Sequence, residues 1–334
     1  MPSTASPTAT RSPIDAVITW VDGNDPVHRR KLDGTLEKLG LSRPSSAHNT
    51  RFNDAGEIDY CITSILRFAP WFRRIHIVCD AQVPAIVERL RASGHADHFN
   101  IVDHREIFRG YEQHLPTFNS RSIISMLWRI EDLADDFVYF NDDMMLLRDV
   151  SPDDFFRDGK VVERGQWRMQ DEATLAGRLR TWFRPFRSGR VERVGNLDSQ
   201  QLSARVAGFE KRYFRLHHNP YPMRRTTLAE FFKRRPDLMY FNSRHRFRSN
   251  EQFKAESVDA HLQLLNEQAI IDNRLHVVQI KPSEQLASRV RGKLSKADGD
   301  PGAAFVCVQS IDLAPPDLQR EIFDWLDRRV GPLP

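Results

Sequence analysis

Ile14-Asp15-Ala16-Val17-Ile18-Thr19-Trp20-Val21 runs directly into Asp22-Gly23-Asn24-Asp25-Pro26. The first eight residues are mostly apolar and β-branched, as in a strand buried in a parallel sheet, and the next five are a dense turn signal. The pattern predicts a strand whose C-terminal end opens into a polar loop. It recurs along the first half: strands are expected at Ile75–Cys79, Asn100–Val102 and Phe137–Phe140. Helices are expected at Val27–Leu39, between Ile58 and Pro70, near Pro84–Ser93 and over Ser120–Leu133. Helices alternating with short apolar strands imply crossover connections and an α/β fold with a mainly parallel sheet and flanking helices. Ligands of such sheets bind beyond the carboxyl ends of the strands, so the loops opening at Asp22 and Asn141 should face one cleft.

The second half is more helical, with helices expected near Asn196–Ala207, Arg224–Lys233, Asn250–Asn266 and Pro316–Arg329. Strands at His276–Ile280 and Ala304–Val308 are expected to return to the main sheet. This half is also basic: residues 161–250 hold 20 Lys and Arg against 8 Asp and Glu, in a chain whose net charge is only +4. Eighteen of those cations are Arg, whose planar fork suits phosphate and carboxylate, so an anionic substrate or surface competes with a plain solvated face. Residues 1–13, rich in Ser, Thr, Pro and Ala, read as a disordered tail.

With 334 residues, 40% of them hydrophobic, the chain can bury a sizeable core. No apolar run reaches the roughly 18 residues that span a bilayer, and Met1–Pro13 lacks a signal-peptide core, so a cytoplasmic protein is expected. Peripheral attachment at the inner membrane face is compatible with the basic half. Cys61, Cys79 and Cys307 sit among apolar neighbours without metal-ligand spacing and read as reduced core residues. Gly-rich phosphate loops, a nucleophile elbow and zinc-type His pairs are all absent from the sequence.

Asn141-Asp142-Asp143 follows Phe137-Val138-Tyr139-Phe140, so two carboxylates stand at the end of a buried strand. Adjacent anions repel unless a cation joins them, and hard oxygen donors there suit Mg²⁺ or Mn²⁺ on a diphosphate. Asp22, Gly23, Asn24 and Asp25 offer polar groups to a nucleotide sugar, although the same residues make good turn chemistry anywhere. In Arg51-Phe52-Asn53-Asp54-Ala55-Gly56-Glu57, Asn53 or Asp54 is expected to cap a helix with Glu57 in its first turn, leaving Arg51 outside for a phosphate. His218 lies in a segment stiffened by Pro220 and Pro222, where an imidazole can serve as general base, and Arg224, Arg225 and Arg244-His245-Arg246-Phe247-Arg248 supply cations for phosphoryl transfer.

Taken together, these segments resemble the Stealth family of sugar-1-phosphate transferases, which includes bacterial capsular and exopolysaccharide phosphotransferases and the animal N-acetylglucosamine-1-phosphotransferase. Four blocks carry the resemblance. The first is Ile14–Pro26. The second runs from Arg51–Asp54 through Ser64-Ile65, Ala69-Pro70-Trp71 and His114–Ser120 to Tyr139–Asp143. The third is His218–Met223 with Arg248-Ser249-Asn250-Glu251, and the fourth is Phe305–Val308. In the fourth block Gln309-Ser310 stands where many relatives carry Asn-Asp.

The resemblance implies one catalytic domain over residues 14–334, with a nucleotide-sugar-binding half (14–160) and an acceptor and catalytic half (161–334). It also implies transfer of a hexose-1-phosphate, often an N-acetylhexosamine-1-phosphate, from a nucleotide diphosphate sugar to a glycan hydroxyl in capsular or exopolysaccharide synthesis, with release of a nucleoside monophosphate. On this reading Asp142 and Asp143 hold the divalent cation, and His218 and Arg248 are catalytic. Asp22, Gly23, Asn24, Asp25, Arg51, Asp54, Asn119 and Asn141 bind substrate. The partners are the donor and a glycan or polysaccharide acceptor, with no nucleic acid. Three alternatives remain: a metal-dependent glycosyltransferase with the same acidic pair that releases a nucleoside diphosphate, a phosphodiester hydrolase with the same metal and base, and a non-catalytic polyanion binder built on the basic stretch 161–250, which leaves the acidic loops unexplained.

Overall fold

In a computed structural model that describes residues 12–42, 54–174 and 196–332, the first run is strand β1 (Ile14–Thr19), and it is central. Its neighbours are β2 (Ile75–Cys79) and β4 (Asp136–Asn141), with β3 (Phe99–Asp103) beyond β2; all four run parallel. A fifth strand, β10 (Tyr221–Arg224), adds antiparallel to β4, giving the order β10-β4-β1-β2-β3. Ile14, Ala16, Val17 and Ile18 are buried, which explains a continuous apolar run in place of alternation. Asp15 is buried too, held by Arg73, His76 and the Ala134 amide.

Helices α1 (Pro26–Lys38) and α2 (Glu57–Phe68) match the expected periodicity. Asp25 caps α1 through its carboxylate, with Pro26 opening the helix. The start of α2 differs from the capping expectation: its N-cap is Gly56, in the left-handed region at φ 104°, which suits a residue without Cβ. Asp54 and Glu57 instead accept from the Gly56 and Ala55 amides. Helix α3 (Ala85–Leu90) is a little shorter than expected, α4 (His104–Ile107) was not anticipated, and α5 covers only Ser120–Ile124 of the expected Ser120–Leu133. There Ser125 bonds back to the Arg121 carbonyl, and a single tighter turn follows at Leu127–Arg129.

The acidic turn links two sheets. After β4 the chain turns at Asp142-Asp143 into β5 (Met144–Leu146), which pairs with β13 (Ala303–Val308) and through it with β12 (His276–Ile280). The two late strands therefore build a separate three-stranded sheet with β5 and do not rejoin the main one as expected. Helices α10 (Ala287–Gly299) and α11 (Pro316–Val330) bury Val290, Leu294, Ile322 and Trp325 in the core of this second sheet.

Between the sheets the chain is richer in strand than its sequence suggests. Strands β6 (Phe156–Arg157), β7 (Lys160–Glu163) and β11 (Ala269–Ile271) form one small sheet, and β8 (Gly165–Met169) pairs with β9 (Arg212–Leu216). Helices α6 (Asn196–Val206), α7 (Arg225–Arg234), α8 (Pro236–Ser243) and α9 (Ala255–Leu265) complete this half. Among the described residues of the Arg-rich stretch, several arginines have structural partners: Arg164, Arg225 and Arg246 donate to backbone carbonyls, and Arg224 pairs with Asp136. No helix among the described residues is long and apolar enough to cross a membrane. The expected N-terminal tail lies outside the described residues except at its last two positions.

Candidate active site

Thr19, the last residue of β1, stands level with Asn141, the last of β4, so the two polar loops leave adjacent parallel strands side by side. The Asp22–Asp25 loop is closed locally: Asp22 accepts from the Asn24 amide, its carbonyl accepts from the Asp25 amide, and Arg29 bonds Gly23 and Asn24. Gln82, beyond β2, bridges Asp22 and Asp25. Those side chains serve the turn and the α1 cap. The loop joins the rest of the site through Trp20, whose indole N–H donates to Asp54 at 2.8 Å.

Asp54, Glu57, Asp142 and Asp143 converge where α2 starts and β4 ends. Burial and then the Asp143, Glu57 and Asp54 charges push the Asp142 carboxyl well up, and burial with Asp54 and Asp143 raises Glu57. Burial likewise raises Asp143, against the hydrogen bond from the Cys307 thiol and the attraction of Arg248 and Lys281. One oxygen, Asp143 Oδ1, is buried without a hydrogen-bond partner among the described residues. Mutually repelling carboxylates with an orphaned oxygen fit a divalent cation, and their hard donors fit Mg²⁺ or Mn²⁺. Asp143, His218 and Cys307 also offer ligand atoms within 4.8 Å of one another, a softer set reached from three chain segments.

His218 precedes β10, the strand that pairs with β4, and this brings it to the acidic turn. Its Nδ1 lies 2.9 Å from the Tyr221 hydroxyl and its Nε2 lies 2.9 Å from the Gln309 side-chain amide. Burial, reinforced by Lys254, Lys281 and Arg248, pulls the ring down to about 3, so it is neutral. Arg248 donates to the Ser120 hydroxyl at 2.8 Å and acts on both Asp143 and His218. The site thus pairs an acidic floor with a cationic flank around an uncharged imidazole.

Among the residues expected from sequence, Asp54, Asn141, Asp142, Asp143, His218 and Arg248 come together. Asn141 accepts from the Tyr139 hydroxyl at the strand end. Asn119 does not face the cleft: it is wholly buried, caps α5, and donates to the His245 carbonyl and to Gln252. It holds in place the loop that carries Arg248. Arg51 lies outside the described residues. Sequence reading missed Glu57, taken for a capping residue, and also Lys254 and Lys281; it named Tyr221 and Gln309 in the third and fourth blocks without foreseeing that both contact His218. Lys281 and Gln309 follow β12 and β13 directly, and the strand-end rule that singled out Asp142 would have found Lys281. No local signal marks Lys254. Cys307, read as core, is buried as expected yet lies against Asp143.

Residues 12–40 match the model of Stealth protein CR1, conserved region 1, and residues 51–164 match Stealth protein CR2, conserved region 2. Exopolysaccharide phosphotransferase SCO6021 of Streptomyces coelicolor is 36% identical over 241 residues, which cover 71% of this chain and 40% of that protein. A capsular polysaccharide phosphotransferase of Actinobacillus suis is 32% identical over 178 residues, covering 52% and 46%. The chain thus spans less than half the length of these relatives. The solved structure of the galactosyltransferase LgtC with donor and acceptor sugar analogs aligns over 94% of this chain and 96% of that one, at 10% identity and a TM-score of 0.38, which is too distant to carry an argument. The matched regions bear the acidic turn and the Asp54 loop, while His218 and Arg248 enter the site through the fold. With both conserved regions present in order, the chain belongs to the Stealth family.

Proposed function

We propose that this protein transfers a hexose-1-phosphate, with an N-acetylhexosamine-1-phosphate as the leading candidate, from a nucleotide diphosphate sugar to a hydroxyl of a glycan. The product is a phosphodiester of a capsular or exopolysaccharide type, and a nucleoside monophosphate leaves. One observation carries this reading: an acidic strand-end turn and a neutral, half-buried histidine lie together at the end of β4, and Arg248, Lys254 and Lys281 act on that histidine. A site built to cleave between two phosphates needs negative charge held in place, a base for the incoming hydroxyl, and cations around the transferring group.

In this mechanism His218 Nε2 takes the proton of the acceptor hydroxyl. The freed oxygen attacks the sugar-bearing phosphorus, and the bond to the bridging oxygen breaks, leaving the electron pair on the nucleoside monophosphate. Arg248, with Lys281, faces the equatorial oxygens where charge develops, while Lys254, paired with Glu256 at 3.0 Å, acts on His218 from a distance. Asp142 and Asp143 would hold Mg²⁺ or Mn²⁺, which when bound neutralises the diphosphate. The Asp22–Asp25 loop, tied to Asp54 by Trp20, borders the donor. Arg51 is assigned to the donor phosphates on the sequence resemblance alone.

The test is product identity. The purified protein is incubated with Mg²⁺ or Mn²⁺, a panel of nucleotide sugars and short acceptor glycans, and the released nucleotide is resolved by chromatography. Acceptor-dependent release of a nucleoside monophosphate is expected. Release of a nucleoside diphosphate would replace this reading with glycosyl transfer, and monophosphate release without acceptor would replace it with hydrolysis.

A further inference from the structure

Gln309 is the first residue past β13, and its backbone is fixed: its amide N–H donates to the Ile280 carbonyl at 2.9 Å. The next residue, Ser310, turns the chain sharply in the left-handed region (φ 55°, ψ 50°). This mount aims the Gln309 side-chain nitrogen at His218 Nε2, 2.9 Å away. An amide nitrogen has hydrogens to donate and no lone pair to offer, so the ring nitrogen facing it must be the acceptor. A neutral imidazole carries one N–H, which then belongs on Nδ1, where the Tyr221 hydroxyl accepts it at 2.9 Å. Tyr221 is itself fixed, opposite Tyr139 in the β10–β4 pairing with the two rings stacked. The imidazole is therefore clamped from two different sheets, by groups that distinguish its two nitrogens.

We infer that Gln309 is a positioning residue that sets the tautomer of His218, keeping Nε2 unprotonated and occupying the place that the acceptor hydroxyl takes during reaction. This rests on the proposed transfer reaction. When the acceptor oxygen displaces the amide, its proton passes to Nε2, its electron pair forms the new bond to phosphorus, and the nucleoside monophosphate departs with the electrons of the broken bond. Nδ1–H stays on Tyr221, so the imidazolium that forms is oriented throughout.

The experiment reads the tautomer directly. Full-length protein labelled with ¹⁵N in histidine is compared with Gln309→Leu and Gln309→Glu by correlating ring nitrogens with ring protons, with circular dichroism as the check on folding. In the unsubstituted protein His218 should show a protonated Nδ1 and a bare Nε2. Gln309→Leu removes the donor and should give a mixture of tautomers. Gln309→Glu puts an acceptor in its place and should leave Nε2 protonated. In the nucleotide-release assay, Gln309→Leu should lower kcat at least about 10-fold with the donor KM within about twofold. A protonated Nε2 in the unsubstituted protein, or a tautomer unmoved by Gln309→Glu in a folded protein, overturns the inference. A tautomer that responds while turnover does not overturns the catalytic part. The proposed reaction itself stands or falls separately, on which nucleotide the unsubstituted enzyme releases.

Discussion

The backbone carbonyl of Asp143 accepts a hydrogen bond from the amide of Val308 at 3.0 Å. This one bond fastens the acidic turn at the end of β4 to the strand that carries Cys307 and ends beside Gln309. The carboxylates and the histidine's partner are thus tied together although Asp143 and Val308 lie 165 positions apart in the chain.

In the proposed mechanism His218 takes the acceptor proton and Arg248 faces the transferring phosphoryl group. Replacing either with Ala should lower kcat in the nucleotide-release assay by at least about 10²-fold while leaving circular dichroism unchanged. Near-normal turnover in a folded variant removes that residue from the catalytic set.

Asp142 is pushed up by burial and by three neighbouring carboxylates. Asp142→Asn should raise the thermal midpoint in the presence of chelator, because it removes a repelling charge from the cluster. The same change should weaken Mn²⁺ binding in calorimetry by about 10-fold or more and reduce turnover. A midpoint that falls, with Mn²⁺ affinity unchanged, rules out a metal role for this carboxylate.

Asp15 is a stability element at the base of β1. Burial raises its carboxyl, but hydrogen bonds from His76, Arg73 and the Ala134 amide outweigh that and bring it down to about 2. A depressed carboxyl contributes stability that is present above its unfolded value of 3.8 and lost as pH falls through about 2. Asp15→Ala takes the partner from His76 Nε2, whose Nδ1 still faces the Asn100 amide, and from Arg73, and should destabilise the fold by about 3 kcal/mol at neutral pH in denaturant titration. The variant should also lose part of the acid dependence.

Asp259 on α9 behaves in the opposite sense. Burial pushes its carboxyl up to about 8, with Arg224, Asp135 and the also-raised Glu163 as its charged neighbours. A raised carboxyl contributes stability below its unfolded value of 3.8, and that contribution is lost as pH rises through about 8. Asp259→Asn should flatten the decline in thermal midpoint between about pH 4 and pH 8 and raise the midpoint at the alkaline end. An unchanged slope would place the titrating group elsewhere.

Local pattern was enough for much of the frame. The apolar, β-branched runs at Ile14, Ile75 and Phe137 read as buried parallel strands because nothing else buries both faces of so short a segment. The turn residues after β1 and β4 likewise marked where a cleft must open, and the two carboxylates after Phe140 stood out through position alone. What escaped was non-local. Whether His276–Ile280 and Ala303–Val308 rejoin the first sheet or build another depends on β5, three residues whose pairing has no sequence signature. Whether an Arg serves a substrate or a carbonyl depends on what the fold brings within reach: Arg224, Arg225 and Arg246 hold backbone and carboxylate partners, while Arg248 acts on Asp143. Glu57 looked like a helix cap until folding set it among Asp54, Asp142 and Asp143.

The sequence by itself determined the α/β class, the strand-end acidic turn, and the kinship carried by residues 12–40 and 51–164, since these are written in short contiguous segments. The resemblance already grouped His218 and Arg248 with that turn; only the tertiary structure decided that Gln309 and Lys281 lie there too, with Gln309 on the ring of His218. The burial that keeps His218 neutral and the amide that faces its Nε2 come from strands far apart in the chain, and they exist only once the two sheets are joined at Asp142-Asp143.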